Sequence, residues 1–338
     1  MAIQNKRPPP PARLILYVTI TVILVSSSDG VVSAVPVADT LNYNALAIGL
    51  NAHTWDADTP YFAEDRYFDL VKATGISWIR LNAVNPFSRA SSMKLSQFIE
   101  ALHDRGIRVL IVLSNNLVGN NARFSYADWN ISLASFLDSF ALQVDAWEVW
   151  NEPNYPRFRL GYMDGSAQHY VDLLRSAHEM IKGGIRPNVP VIFGGLAPTD
   201  NAVGFARQAL DLGAYEYFDA FGFHIYGGRS YSFLRTITSL TGSKPVWITE
   251  VGIDSLRYGL EGQARQLHVL LDYLQRRKNS YNLEISFVYC WMDYAKTGDV
   301  TNVFQNPTSV EDFFGLVGVN LEPKPAFYKV RAIALLRS

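Results

Sequence analysis

Two glutamates stand out by their surroundings. Glu152 lies in Trp147-Glu148-Val149-Trp150-Asn151-Glu152-Pro153-Asn154, and Glu250 in Val246-Trp247-Ile248-Thr249-Glu250-Val251-Gly252. Each ends a short apolar run of the kind that forms a buried strand. Two carboxyls brought to different sides of one bound molecule can cleave a glycosidic bond. One protonates the leaving oxygen while the other attacks the sugar or activates water. Either glutamate alone reads as an ordinary loop or strand-end charge; the pair carries the signal. Other chemistries lack their residues. The six His are scattered without an H-E-x-x-H, and no G-x-S-x-G elbow occurs. The single cysteine, Cys290, can form neither an intrachain disulfide nor a Cys-based zinc site. Gly194-Gly195 and Gly227-Gly228 read as turn material rather than a phosphate loop. The expectation is therefore no metal and no cofactor.

The elements that must hold these glutamates repeat one unit. Predicted strands are Ala45–Asn51, Trp78–Leu81, Arg108–Ser114, Asp145–Asn151, Val189–Phe193, Ala220–His224, Pro245–Glu250 and Ile285–Trp291. Helical spacing follows each of them, at Tyr61–Thr74, Met93–Asp104, Ser125–Phe140, Ser166–Ile181, Val203–Leu212, Ser232–Thr241, Gln263–Lys278 and Pro323–Leu336. Near-continuous apolar strands alternating with amphipathic helices mark a parallel sheet covered by helices. Eight such units predict a single (β/α)8 TIM barrel. An open doubly wound sheet gives the same alternation, but no G-x-G-x-x-G follows the first strand.

In such a barrel the loops after the strands form the active face. The polar residues there are Asn51 and His53 after the first strand, Arg80 and Asn82 after the second, and Asn151 and Glu152 after the fourth. The sixth ends in His224 and Tyr226, the seventh in Glu250, and the eighth in Tyr289-Cys290-Trp291. Glu152 and Glu250 thus fall on strands four and seven, nearly opposite across the mouth.

The W-N-E-P-N run resembles the acid/base motif of clan A glycoside hydrolases, and V-W-I-T-E-V-G resembles their nucleophile strand. The order, acid/base on strand four and nucleophile on strand seven, agrees. Phe314-Gly315-Leu316 and Pro323-Lys324-Pro325-Ala326-Phe327 resemble a closing pattern common in such enzymes. Within the clan the chain looks most like family 39 and its relatives in family 5. The resemblance implies a retaining mechanism with Glu152 as acid/base and Glu250 as nucleophile, kept ionised by donors such as Arg80 and Tyr226. It implies that Asn151 bonds the sugar 2-hydroxyl, that His224 and Tyr226 form the His-x-Tyr after strand six, and that Trp291 is the aromatic floor under the reacting sugar. His224 and Trp291 also read as core residues. His53 and Asn82 are further substrate-binding candidates on position alone.

The N-terminus has another logic. Lys6, Arg7 and Arg13 precede an apolar run, Leu14–Val25, and then the small residues Val32-Ser33-Ala34. This describes a secretory signal peptide, with cleavage after Ala34 or retention as an anchor. Residues 1–34 are then leader and 35–338 the catalytic domain. The product is expected to be secreted or tethered outside the cytoplasm, and monomeric. A net charge of −1 over 338 residues argues against nucleic-acid binding. An aromatic fraction of 13% suits stacking on sugar faces as well as a large core. The expected substrate is an extracellular oligo- or polysaccharide, cut internally in the manner of an endo-β-glucanase or mannanase. An exo-acting β-glycosidase such as a β-xylosidase and a non-catalytic sugar-binding barrel are the rivals.

Overall fold

The computed structural model describes residues 45–52, 65–118, 125–155, 165–227, 230–294 and 310–337. Every described element belongs to one compact unit within Leu41–Ser338. The expected leader and cleavage point, and His53, lie outside the described residues.

Eight parallel strands close into a barrel in sequence order: β1 (Ala47–Asn51), β2 (Trp78–Asn82), β3 (Arg108–Leu113), β4 (Ala146–Asn151), β5 (Val191–Leu196), β6 (Ala220–Ile225), β7 (Val246–Val251) and β8 (Leu283–Val288). Leu50 of β1 faces Ile79 on one side and Val288 on the other, so the sheet has no free edge. The helices are α1 (Asp65–Ala73), α2 (Arg89–His103), α3 (Tyr126–Phe140), α4 (Ala167–Lys182), α5 (Ala202–Asp211), α6 (Ser230–Leu240), α7 (Ser255–Arg277) and α8 (Pro325–Ala334). The expected (β/α)8 barrel is the observed fold. Ser125 caps α3 in a reciprocal capping box with Asp128. α7 starts eight residues before its predicted start, because Asp254 caps it at Arg257 and Gly259 (φ 66°) kinks it before the regular apolar spacing begins.

The period of two along each strand separates two cores. Outward residues such as Ile79, Val109, Ile111, Leu113 and Val149 pack under the helices. Inward residues at the strand starts form an apolar floor of Ala47, Trp78, Leu110, Ala146, Ile192, Ala220, Trp247, Ile285 and Phe287. Two residues further along β2 and β4 the inward positions become Arg80 and Glu148, so a polar layer rests on an apolar floor. β5 runs on through Gly194 and Gly195, which correct their reading as turn residues. A Cβ at Gly195 would collide with His224 Nε2 and Thr249 Oγ1, so the barrel interior requires glycine there. Beyond the floor, at the opposite end from the glutamates, a cavity of about 750 Å³ is lined by Trp78, Arg108, Trp247, Lys278 and Glu284 among others. No described helix is long and apolar enough to cross a membrane.

Candidate active site

The two glutamates reach the same point by local irregularities in their strands. Trp150 (φ 72°) and Glu152 (φ 50°) adopt left-handed backbone at the end of β4, a conformation that costs about 1–3 kcal/mol each and needs outside support. Trp150 thereby turns outward onto Trp129, with ring centroids 5.8 Å apart. Asn151 turns inward to Arg80, and the Glu152 N–H donates to Gly195 O at 2.9 Å. On β7 the register slips by one: Phe223 faces Ile248, but His224 faces Glu250. The extra residue, Thr249, re-aims Glu250 into the barrel as a bulge does, and Asn51 Nδ2 donates to Thr249 O at 3.0 Å.

His224 bridges the pair. Its Nδ1 lies 2.8 Å from Glu152 Oε1 and 3.5 Å from Glu250 Oε2. One donor atom from each of the three residues fits within 4.8 Å of the others. Nδ1 is the ring atom turned to the carboxyls, and Nε2, facing Gly195, has no hydrogen-bond partner among the described residues. These three are the cluster among the described residues that could ligate a cation. The Arg80 guanidinium beside Glu250 opposes such an ion, and nothing in the arrangement requires one.

Arg80 is the hub below. Nε and Nη2 donate to Glu148 at 2.6 and 3.2 Å, Nη1 to Asn51 Oδ1 and Glu250 Oε1 at 2.8 Å each, and Nη2 to Asn151 Oδ1 at 2.8 Å. All five guanidinium N–H groups are used. Tyr226 donates its hydroxyl to Glu250 Oε2 at 2.5 Å.

The charges follow from these contacts. Burial alone would raise the pKa of Glu250, but the charges of His224 and Arg80 and the hydrogen bonds from Tyr226 and Arg80 hold it below the ordinary glutamate value. Burial acts to lower the pKa of His224, and the carboxylates of Glu250 and Glu152 outweigh it, raising the imidazole above its usual value. Burial first, and the charge of Glu250 second, push Tyr226 well above the phenol range, so it remains a donor. Arg80 is buried yet kept charged by Glu148 and Glu250.

The structure brings Glu152, Glu250, Arg80, Asn151, His224 and Tyr226 into one network. Asn82 stands two residues beyond Arg80 on the same face of β2, half-buried and outside that network. Trp291 requires correction. β8 ends at Val288, the Trp291 N–H donates to Asn51 O, and its ring is fully buried behind the barrel wall. There it meets Tyr67 of α1 edge-on at 5.8 Å and Phe327 of α8 at 6.4 Å, so it has no free face for a sugar. Tyr289, two residues earlier, is half-buried and packs on Tyr226 and Phe314. It is the β8 aromatic beside the glutamates, its pKa raised by burial and by the charges of Cys290 and Glu250. Glu148 and Asn51 also lack a predicted role, although a lone Glu at an inward position of an apolar strand was a readable signal for the first. Asn154 is structural, tying the β4 loop to Ala197, Thr199 and Asn201.

No protein-family model matches the sequence, nor does any curated protein. Solved structures do match. A family 39 glycoside hydrolase from Bacteroides cellulosilyticus WH2 superposes with a TM-score of 0.63 at 22% identity, over 87% of this chain and 64% of its own. A monomeric β-xylosidase from Caulobacter crescentus CB15 gives 0.63 at 17% identity, over 85% of this chain and 67% of its own. An exo-β-1,4-mannosidase from Opitutaceae bacterium strain TAV5 gives 0.61 at 14%, over 86% and 59%. The chain thus spans about two thirds of the length of the family 39 protein. At these identities the likeness is one of fold alone, and the fold is a (β/α)8 barrel.

Proposed function

We propose that the protein is a retaining β-glycosidase acting by double displacement, with Glu250 as nucleophile and Glu152 as acid/base. The observation that carries this reading is the tight pair itself: His224 Nδ1 lies 2.8 Å from an oxygen of Glu152 and 3.5 Å from an oxygen of Glu250, and the nearest carboxylate oxygens of the two glutamates stand within 4.8 Å, which suits a retaining pair. Retaining pairs stand ~5–5.5 Å apart, whereas inverting pairs need ~6.5–9.5 Å to admit a water. In the first step an oxygen of Glu250 attacks the anomeric carbon as Glu152 gives its proton to the leaving oxygen. In the second, the Glu152 carboxylate takes a proton from water, whose oxygen displaces Glu250 from the sugar. His224 donates from Nδ1 to Glu152 Oε1, which leaves the acid proton on Oε2. Arg80 and Tyr226 release part of their hold on Glu250 as its charge passes to the new bond. The Asn151 amide oxygen is turned to Arg80, so its NH₂ group is the donor available to a sugar hydroxyl.

The leader favours an extracellular oligo- or polysaccharide as substrate, and the near-neutral chain suits an uncharged one. Internal cleavage is the first reading. End-wise cleavage is the second, favoured by the β-xylosidase and the exo-mannosidase among the structural neighbours. Incubating wild type and Glu250→Ala with β-glucan, mannan, xylan and aryl β-glycosides tests the proposal. Wild type should hydrolyse at least one and the variant none. Product lengths separate endo from exo action. Binding without turnover by wild type would instead leave a sugar-binding barrel.

A further inference from the structure

We infer that Glu148 is a positioning residue for this reaction, holding Arg80 so that a single N–H of the guanidinium reaches Glu250. The inference rests on the retaining mechanism above. Glu148 is completely buried, four residues before Glu152 on β4, and too deep to touch a substrate. Its two oxygens accept the fork of Arg80 Nε and Nη2, and Oε1 also accepts the Gly195 N–H at 2.8 Å. A guanidinium fork matches a carboxylate in the bidentate manner. Here that geometry is given to Glu148, not to the nucleophile.

The consequence is electrostatic and geometric together. Buried Arg80 faces two carboxylates, Glu148 and Glu250, so neither receives its whole charge. Glu250 gets one hydrogen bond from Nη1, which keeps it ionised without sealing it in a full ion pair. Without Glu148, the freed fork would have no acceptor of its own in the apolar surroundings. It would turn on Glu250 bidentately, stabilising the carboxylate in the ground state and weakening it as a nucleophile. The same movement would withdraw Nη2 from Asn151.

Glu148→Gln tests this with little change of volume, and its amide oxygen can still accept from Gly195. Thermal unfolding shows whether the variant is folded. On an aryl β-glycoside, kcat should fall between about 10- and 100-fold with KM changed far less. The acid limb of the pH profile should move to lower pH, because Glu250 then holds its charge more firmly. A merely structural glutamate would move neither the limb nor the ratio of kcat to KM. A folded variant with kcat within twofold of wild type and an unmoved limb overturns the inference. If Glu148→Gln does not fold, the double variant Glu148→Gln/Arg80→Gln removes both buried charges together. Acting through Arg80 requires the double variant to match Arg80→Gln alone, and a further tenfold loss would contradict it. Wild type that turns over no substrate rejects the retaining reading and this inference together. Active wild type with an indifferent Glu148→Gln rejects the inference alone.

Discussion

Glu250 carries three supports with different consequences for pH. His224, Arg80 and Tyr226 hold its pKa below the ordinary glutamate range against the burial that would raise it. The nucleophile is ionised above that depressed value, so the acid limb of kcat/KM should lie below the free-glutamate value of ~4.3. His224 is shifted the other way, and its Nδ1 hydrogen bond ties it to Glu152. The imidazole therefore keeps its charge to a pH above the free-histidine value of ~6.5. A rate profile whose acid limb stands above the free-glutamate value would contradict the supports assigned to Glu250. Tyr226→Phe removes the 2.5 Å hydrogen bond to Glu250 Oε2. Its acid limb should move to higher pH, and kcat should drop about 10- to 100-fold in steady-state assays. These side chains were legible because their types fit one chemistry and their positions fell at strand ends. Glu148 was not assigned because it lies below the strand end, where the alternation of β4 reads first as core. Trp291 was misplaced because the course of the chain beyond β8 cannot be read from apolar spacing.

At the scale of elements, the site depends on where strands depart from regularity. The left-handed turns at Trp150 and Glu152 and the slipped register of β7 aim the two glutamates inward. Neither leaves a pattern in the sequence, since both arise from tertiary contacts that over-determine the backbone. Gly195 is the counterpart on β5. Gly195→Ala should force His224 and Thr249 aside, lowering kcat about 100-fold and costing ~1–3 kcal/mol in urea unfolding. The segment after β8 is pinned differently. Lys324 Nζ donates to Asp293 at 3.0 and 3.1 Å and to Ser255 at 3.0 Å, while Gln263 Nε2 donates to the carbonyls of Ile253, Phe314 and Gly315. These bonds set Phe314 against Tyr226 and Tyr289. Burial raises the pKa of Asp293 to about 6, even though Lys324 and the Gly315 N–H lower it. The folded protein therefore binds this proton more tightly than the unfolded chain. The group's contribution to stability falls as pH rises from ~4 to ~6. Thermal unfolding of Asp293→Asn should lack that slope relative to wild type. Lys324→Met removes the charge that lowers this pKa, so it should carry the slope to higher pH and cost about 3–5 kcal/mol where the carboxyl is ionised.

At the scale of the whole molecule, the barrel converts eight repeated units into one polar cup on an apolar floor. That plan was legible because each strand-helix unit repeats the same two periods, and only a closed sheet gives all eight strands two partners. Helix starts were less legible, as α7 shows, because a capping Asp and a kinking Gly precede the apolar spacing. For the N-terminus, the basic and apolar stretch before Ala34 makes a proposal about place. Expressed in a secreting host, the protein should be recovered from the medium beginning at Val35, as N-terminal sequencing would show. Recovery only from the cytosol with Met1 intact would contradict it. For the reaction, proton NMR of the first sugar released from a β-aryl glycoside decides most directly. A double displacement through Glu250 predicts the β-anomer before mutarotation, and the α-anomer appearing first would contradict it.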